Sequence, residues 1–247
     1  MTTSDANSDR GRWAATSLAH DCKERFKQAW HDLPDGAARR WLVAVVVGFA
    51  LSAALTAGMS LGVKSWTDGT SFAWEADAMR WIGGVFPLSI ARWISVLGNS
   101  LWLWPVTIFA AAMSAWYKKP LQALSIFPAY AITQLIVSVG WIAWDRIAPQ
   151  VITEQGPSAV FNSFPSGHTA HAVFAFGILT YLWWRAASRH PEKLAVVLVF
   201  LVLAGAVSVG RLASGAHWPT DILAAWVVGL MWLAVQVVAL RVAGTRR

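Results

Sequence analysis

Four side chains that could carry out phosphate chemistry stand near the ends of apolar stretches: His168, Arg211, His217 and Asp221. Ionisable residues are costly in such stretches and are commonly functional. His217 and Asp221 are four residues apart, so on a helix they would share one face. The carboxylate could then hold one imidazole nitrogen as an N–H and leave the other as a nucleophile or base. Arg211 supplies a permanent planar cation that matches phosphate oxygens.

The segment that leads into His168 has the features of a helix beginning. It reads Phe-Pro-Ser-Gly-His-Thr over residues 164–169. Ser166 is a good N-cap, and the first backbone N–H groups of a helix lack partners within it. Gly167 allows the backbone to approach a ligand closely. Together these features predict a site for phosphate-like anions. An ordinary capped helix would explain Pro-Ser-Gly alone, but not the histidine directly after it.

The composition is that of a membrane protein. The chain is 56% hydrophobic and 13% charged, whereas a soluble domain carries about 25% charged residues. In so apolar a chain, a net charge of +7 favours anionic lipid over nucleic acid as a partner. The single cysteine excludes an intramolecular disulfide. Many tryptophans stand near the ends of apolar runs, as in an interfacial aromatic belt: Trp41, Trp66, Trp116, Trp141, Trp144, Trp183, Trp184 and Trp218.

Six apolar runs have about the length that a membrane-spanning helix needs. We therefore predict an all-α integral membrane protein, a six-helix transmembrane bundle. Residues 66–93 lie between the first two runs, and Trp74, Ala78, Trp81 and Val85 recur there at helical spacing, which predicts short interfacial helices on the outer side. The six runs are Trp41–Val63, Ile94–Tyr117, Pro120–Trp144, His168–Trp184, Leu194–Gly210 and Ile222–Leu240.

The distribution of basic residues predicts the orientation of these spans. With six spans, 15 of the 20 Lys and Arg residues fall on the side that holds both termini. The positive-inside rule places that side in the cytoplasm of a cell (inner) membrane protein. Residues 1–40 are then a cytoplasmic tail, partly disordered. Residues 41–240 form the membrane domain, and residues 241–247 form a basic cytoplasmic tail.

This topology brings the reactive residues to one level. His168 opens the fourth span from the outside, and Arg211 lies at the outer end of the fifth. The 42 residues between them accommodate two spans and a short loop. His217 and Asp221 then open the sixth span. All four residues are therefore expected to face the extracytoplasmic side at similar depth, where a lipid headgroup would lie.

Two of these segments resemble a known family. Pro165-Ser166-Gly167-His168 and Gly210-Arg211-x5-His217-x3-Asp221 are similar to the second and third signature motifs of the type-2 phosphatidic acid phosphatase superfamily, which run Pro-Ser-Gly-His and Ser-Arg-x5-His-x3-Asp. The six-span layout is similar to the membrane-embedded branch of that family. The likeness covers roughly residues 66–240.

The resemblance implies a role for each residue. His217 would attack phosphorus and form a phosphohistidine, while Asp221 orients and polarises it. His168 would protonate the leaving oxygen and then activate water. Arg211 and the backbone amides near Ser166 and Gly167 would stabilise charge on the phosphate oxygens. The substrate would be a membrane lipid, such as phosphatidic acid, phosphatidylglycerol phosphate or polyprenyl diphosphate, and the family implies no cofactor or metal.

The chain departs from the family pattern at two places. Position 210 is glycine, whereas the third motif usually begins with serine. The first motif, Lys-x6-Arg-Pro, is absent from the loop after the third span, whose only cation is Arg146. Arg146 is therefore the candidate for the motif's phosphate-binding lysine.

Other functions remain open at the level of sequence. A phosphotransferase would share the first half-reaction and pass the phosphate to another lipid. A metal-dependent hydrolase could use His168, His171, His217 and Asp221 as zinc ligands. The anion-binding helix start argues against a metal, so His171 is interpreted as a packing or supporting residue. A non-catalytic relative that binds a headgroup is the remaining alternative.

Overall fold

The computed structural model describes residues 18–149 and 162–244. Within them the chain forms helices and no strand, which confirms the prediction of an all-α protein. The polar tail at residues 1–17 and most of the loop after the third predicted span lie outside the described residues. The helices are α1 (18–31), α2 (Ala37–Trp66), α3 (Ala73–Val85), α4 (Leu88–Val96), α5 (Ser100–Trp116), α6 (Pro120–Leu124), α7 (Phe127–Ala143), α8 (Gly167–Ala186), α9 (His190–Ala213) and α10 (Pro219–Gly244).

Five stretches of the described residues are long and apolar enough to cross a membrane. Each corresponds to one predicted span, and two of them are built from consecutive helices, α4 with α5 and α6 with α7. Helix α8, the remaining predicted span, has 20 residues but is not among the five. Its first turn carries polar residues, and other helices enclose most of its length. The stretches are α2, Leu88–Trp116, Pro120–Ala143, α9 and α10.

Helix α10 lies at the centre of the packing. It contacts α2 on one side and α8 on the other, while α8 also packs against α9 and α2 against α7. The core between these helices contains large, fully buried side chains such as Trp232, Tyr130 and Phe174. The indole Nε1 of Trp232 donates to the carbonyl oxygen of Ala129 over 2.8 Å. This packing fixes the starts of α8 and α10 relative to each other.

The lipid-facing surface is apolar. Leu51, Leu55 and Val202 are more than half exposed, as expected where lipid replaces water. Trp66 and Trp183 of the predicted aromatic belt are 75% and 59% exposed, as residues at a membrane interface must be. The prediction is wrong for Trp144, which is buried and packs against Phe164.

Helix α3 turns its tryptophans outward and an acid inward. Trp74 and Trp81 are exposed, whereas Glu75 and Met79 are completely buried. Because Glu75 follows a tryptophan and stands near Asp77 and other polar residues, the sequence gives no sign that it is enclosed. The Glu75 carboxylate contacts Thr220 at the start of α10.

Candidate active site

The predicted anion-binding segment forms the start of α8. Ser166 is its N-cap residue, but its backbone N–H donates to the carbonyl oxygen of Asp221 over 3.1 Å. Its hydroxyl donates to Thr169 Oγ1. The Ser166 amide is therefore engaged within the protein. Gly167 and His168 occupy the first helical turn, where backbone N–H groups have no acceptor within the helix.

Helix α7 holds this segment in place from the side. The indole Nε1 of Trp141 donates to the carbonyl oxygen of Pro165 over 3.1 Å. Gly140 has no side chain, and a Cβ there would collide with the Pro165 ring. The absence of that Cβ allows α7 to approach Pro165 directly. The start of α8 is thus positioned by a tryptophan and a glycine one residue apart.

His217 lies buried between α9 and α10. Its Nδ1 is 2.9 Å from the carbonyl oxygen of Ser163 and 3.6 Å from Asp221 Oδ2. A carbonyl oxygen can only accept, so Nδ1 carries the hydrogen and Nε2 keeps its lone pair. Ser163 also donates its hydroxyl to Asp221 Oδ2. Sequence reasoning missed Ser163, because a neutral serine in a loop carries no distinguishing signal.

The surroundings of His217 favour its neutral form. Burial lowers the pKa of His217 below its ordinary value, and the cationic Arg211 lowers it further. The contact with Asp221 opposes these effects without overcoming them. The result is a neutral imidazole with an unprotonated Nε2, which is the form that can act as a nucleophile.

Arg211 and His168 complete the arrangement around Nε2. Arg211 Nη2 lies 3.3 Å from His217 Nε2, and the buried Arg211 Nε has no hydrogen-bond partner among residues 18–149 and 162–244. His168 is half-buried and lies close enough to interact electrostatically with both Arg211 and His217. The structure thus brings together the four residues that the sequence singled out.

Arg146 lies apart from this group, behind Asp221. It is 1% exposed. Its Nη1 is 2.6 Å from Asp221 Oδ1, and its Nη2 is 2.7 Å from Glu75 Oε2. Its Nε donates to the Thr70 carbonyl oxygen. The structure therefore corrects the predicted role of Arg146, because protein acceptors occupy the donors that a phosphate would need.

Glu75 is the second residue that sequence reasoning missed. Its Oε1 accepts from the Thr220 backbone N–H over 3.1 Å and from the Thr220 hydroxyl over 2.6 Å. Its Oε2 also accepts from the Phe72 backbone N–H. One carboxylate thereby connects the start of α3 with the first turn of α10, immediately beside Asp221.

The model of the PAP2 superfamily matches residues 122–243, a range that contains every one of the predicted catalytic residues. Residues 122–243 of this chain belong to the PAP2 superfamily. The protein is a membrane phosphatase of the PAP2 type, and its relatives hydrolyse phosphate esters.

Two bacterial phosphatases illustrate the likeness of this PAP2 protein to others. It is 28% identical to phosphatidylglycerophosphatase B of Bacillus subtilis (strain 168) over 143 residues, which are 56% of this chain and 68% of that protein. The solved structure of a transmembrane PAP2-type phosphatidylglycerolphosphate phosphatase from Bacillus subtilis has a TM-score of 0.51 and 21% identity, and the match covers 83% of this chain and 98% of that one.

A third relative extends the fold comparison. The crystal structure of Aquifex aeolicus LpxE has a TM-score of 0.51 and 23% identity to this PAP2 protein. The match covers 69% of this chain and 97% of that one. At these identities the two solved structures support the shared membrane fold.

The glycine that replaces the usual serine of the third PAP2 motif has a packing reason. A Cβ at Gly210 would lie 2.7 Å from Ser95 Oγ and 2.8 Å from the carbonyl oxygen of Ala91. Helix α4 therefore approaches α9 too closely for a side chain at position 210. The Ser95 hydroxyl occupies the space into which a serine at position 210 would extend.

His171 packs within this PAP2 protein and does not point to a metal. Its Nδ1 is 2.8 Å from the carbonyl oxygen of Gly167, and its ring meets Tyr130 edge-on at 4.9 Å. Across residues 18–149 and 162–244, no three His, Cys, Asp or Glu side chains converge as a metal site would require. The four residues of the zinc alternative are therefore not arranged as one ligand set.

Proposed function

We propose that this PAP2 protein hydrolyses a phosphomonoester or diphosphate of a membrane lipid through a phosphohistidine on His217. One observation carries the proposal: His217 Nδ1 is held by Ser163 and Asp221, while Nε2 faces the guanidinium of Arg211. An unprotonated nitrogen beside a fixed cation suits attack on a phosphorus atom whose oxygens the cation binds.

The reaction takes two steps. Nε2 of His217 forms a bond to phosphorus as the bond from phosphorus to the lipid oxygen breaks, and His168 protonates that oxygen. His168, now neutral, removes a proton from water, whose oxygen attacks the phosphohistidine and releases phosphate. The imidazole of His217 carries positive charge in the intermediate, and the Asp221 carboxylate compensates it.

Charge on the transferred phosphoryl group is met by fixed donors. Arg211 offers a buried Nε–H for which the described part of the chain supplies no acceptor, and the first-turn amides of Gly167 and His168 lie at the start of α8. Donors aimed at the developing charge usually make the largest single contribution to this kind of catalysis. Arg146 has no part in this binding, and the Ser166 amide is engaged elsewhere.

The site belongs at the outer face of the cell membrane. This placement rests on the positive-inside distribution, which assigns both termini to the cytoplasm, and it counts α8 as the fourth of six spans, in addition to the five long apolar stretches. The outer ends of α8, α9 and α10 then meet at the level of a lipid headgroup. The acyl or prenyl chain of the substrate stays in the bilayer beside the bundle.

A panel of lipid substrates tests this function. Phosphatidylglycerol phosphate comes first, because the Bacillus subtilis relatives are described as acting on it. Phosphatidic acid and a polyprenyl diphosphate follow. We expect purified protein to release phosphate from at least one lipid, and His217→Ala to lower kcat/KM at least about 1,000-fold.

The controls separate the alternatives. His190→Ala, at an exposed histidine at the start of α9, should leave the rate unchanged, and EDTA should have no effect. Labelled phosphate that appears in a second lipid instead of solution would indicate a phosphotransferase. No release from any lipid, or full activity in His217→Ala, would contradict the proposal.

A further inference from the structure

Three buried charges stand in a row behind the nucleophile, and the reaction uses only the nearest. Glu75, Arg146 and Asp221 are each at most 1% exposed. Each buried charge costs several kcal/mol of desolvation, so an ion pair in an interior is no free source of stability. Glu75 and Arg146 therefore require an explanation beyond holding the fold together.

The net charge of the three residues explains why Glu75 is needed. Arg146 Nη1 lies 2.6 Å from Asp221 Oδ1, and this pair alone would be nearly neutral. A neutral pair would give little stabilisation to the positive imidazole that forms when His217 attacks. Glu75, 2.7 Å from Arg146 Nη2, adds a second negative charge, so the three residues together carry one net negative charge.

We propose that Glu75 is a positioning residue that acts on His217 through Arg146 and Asp221. It fixes the guanidinium and restores the negative charge that Asp221 presents to the imidazole. This inference rests on the proposed function, because it concerns the same nucleophile.

The contacts of Asp221 support this order of action. Arg146 occupies Oδ1, which leaves Oδ2 for the Ser163 hydroxyl, the Trp218 backbone N–H at 2.8 Å and His217. The Cζ atom of Arg146 also lies 4.8 Å from the ring centroid of Trp144 and 5.3 Å from that of Trp218. The guanidinium is therefore held both by its hydrogen bonds and by two indole rings, and the orientation of Asp221 depends on it.

Within residues 18–149 and 162–244, few groups influence the proton on His217. The titratable or charged side chains there that interact with it are Arg211 from α9, His168 from α8 and Asp221 from α10. Arg211 disfavours a positive imidazole, and Asp221 favours it. A change in charge behind Asp221 should therefore be visible in the titration of His217.

The variant Glu75→Gln tests the proposal, because it removes the charge and keeps the shape. We expect kcat to fall about 10- to 100-fold, with KM nearly unchanged. Losses of this size are typical when a residue that orients an active-site side chain is replaced. Loss of the negative charge disfavours protonated His217, so the acid limb of the kcat/KM profile should move to lower pH. Asp77→Asn removes an exposed carboxylate from the same helix and should change neither quantity.

A double variant separates charge from packing. Glu75→Gln with Arg146→Gln removes opposite charges together and leaves Asp221 negative. We expect its acid limb to return to the wild-type position or above, while kcat stays low because Asp221 has lost its anchor. If Glu75→Gln does not accumulate as folded protein, the double variant carries the test alone, with the same expectation.

The outcomes are distinct. Wild-type kcat in Glu75→Gln or in the double variant would overturn the inference. So would an acid limb that stays in place in Glu75→Gln, which would indicate a structural role only, or one that moves to lower pH in the double variant. Failure of the proposed function would be recognised separately, as a wild-type protein without phosphate release or a His217→Ala variant that keeps full activity.

Discussion

At the scale of single residues, the reactivity of His217 follows from what its two nitrogens touch. The Ser163 carbonyl fixes the proton on Nδ1, and burial keeps the ring neutral. Asp221 lies 3.6 Å from Nδ1, close enough to stabilise positive charge on the ring in the proposed phosphohistidine. A serine outside the family motifs therefore sets the tautomer that the proposed mechanism requires.

The lowered pKa of His217 predicts a pH dependence. His217 loses its proton at a lower pH than an ordinary histidine, so activity should rise with pH through a limb that lies below about 6.5. The measurement is kcat/KM for phosphate release against pH, corrected for the ionisation of the substrate phosphate followed by phosphorus NMR. Asp221→Asn should move the limb lower still. An acid limb above the ordinary histidine value would contradict this assignment.

The sequence predicts the reacting residues better than the residues that support them. His168, Arg211 and His217 are conspicuous because charged or titratable groups are rare in apolar segments. The role of Glu75 cannot be recognised in the sequence, because it stands 71 residues from Arg146 and beside ordinary polar residues of α3. Arg146 was assigned to phosphate because the loop offered no other cation, and only the structure revealed its carboxylate partners.

At the scale of helices, small residues set how closely the elements approach the site. Gly140 brings α7 against Pro165, and Gly210 brings α4 against α9. Five of the six predicted apolar runs correspond to stretches long and apolar enough to cross a membrane, because length and hydropathy decide which segments can do so. Length and hydropathy did not predict the breaks between α4 and α5 and between α6 and α7, because a short turn inside an apolar run changes neither property.

Gly140→Ala tests this packing. The added Cβ would meet the Pro165 ring, Ser60 Oγ at 3.1 Å and Thr56 Cγ2 at 3.2 Å. We expect a loss of about 1–3 kcal/mol in the free energy of unfolding, together with lower activity because Pro165 leads into α8. Gly58→Ala on α2 is the matched control, since nothing lies within 4 Å of its added Cβ.

Thermal unfolding in detergent and phosphate release measure the two effects. Gly58→Ala should be as stable as the wild type or slightly more so, because alanine favours a helix. Equal stability and activity for Gly140→Ala and Gly58→Ala would show that α7 is not packed against Pro165 in this way.

At the scale of the whole molecule, the bundle gathers the reactive groups at one end. That end holds His168 at the start of α8, Arg211 near the end of α9 and Asp221 at the start of α10, while α3 places Glu75 behind them. The opposite end carries most of the basic charge, including the Lys118-Lys119 turn. The site and the basic surface should therefore lie on opposite sides of the membrane.

Cysteine labelling tests this orientation. Cys22 is the only native cysteine, so Cys22→Ala gives a background free of thiols. On that background, Asp77→Cys on α3 should react with a membrane-impermeant maleimide in intact cells. Arg189→Cys, before α9, should react only after permeabilisation, and the reverse pattern would mean that the site faces the cytoplasm.

The most direct test of the account is to trap the phosphorylated enzyme. Purified protein is mixed with a lipid that carries radiolabelled phosphate, quenched in alkali and digested, and the labelled peptide is identified. We predict label on the peptide that contains His217 in the wild type and in His190→Ala, and none in His217→Ala. Phosphate release that continues in His217→Ala, or label on a different residue, would contradict the central claim that His217 is the nucleophile.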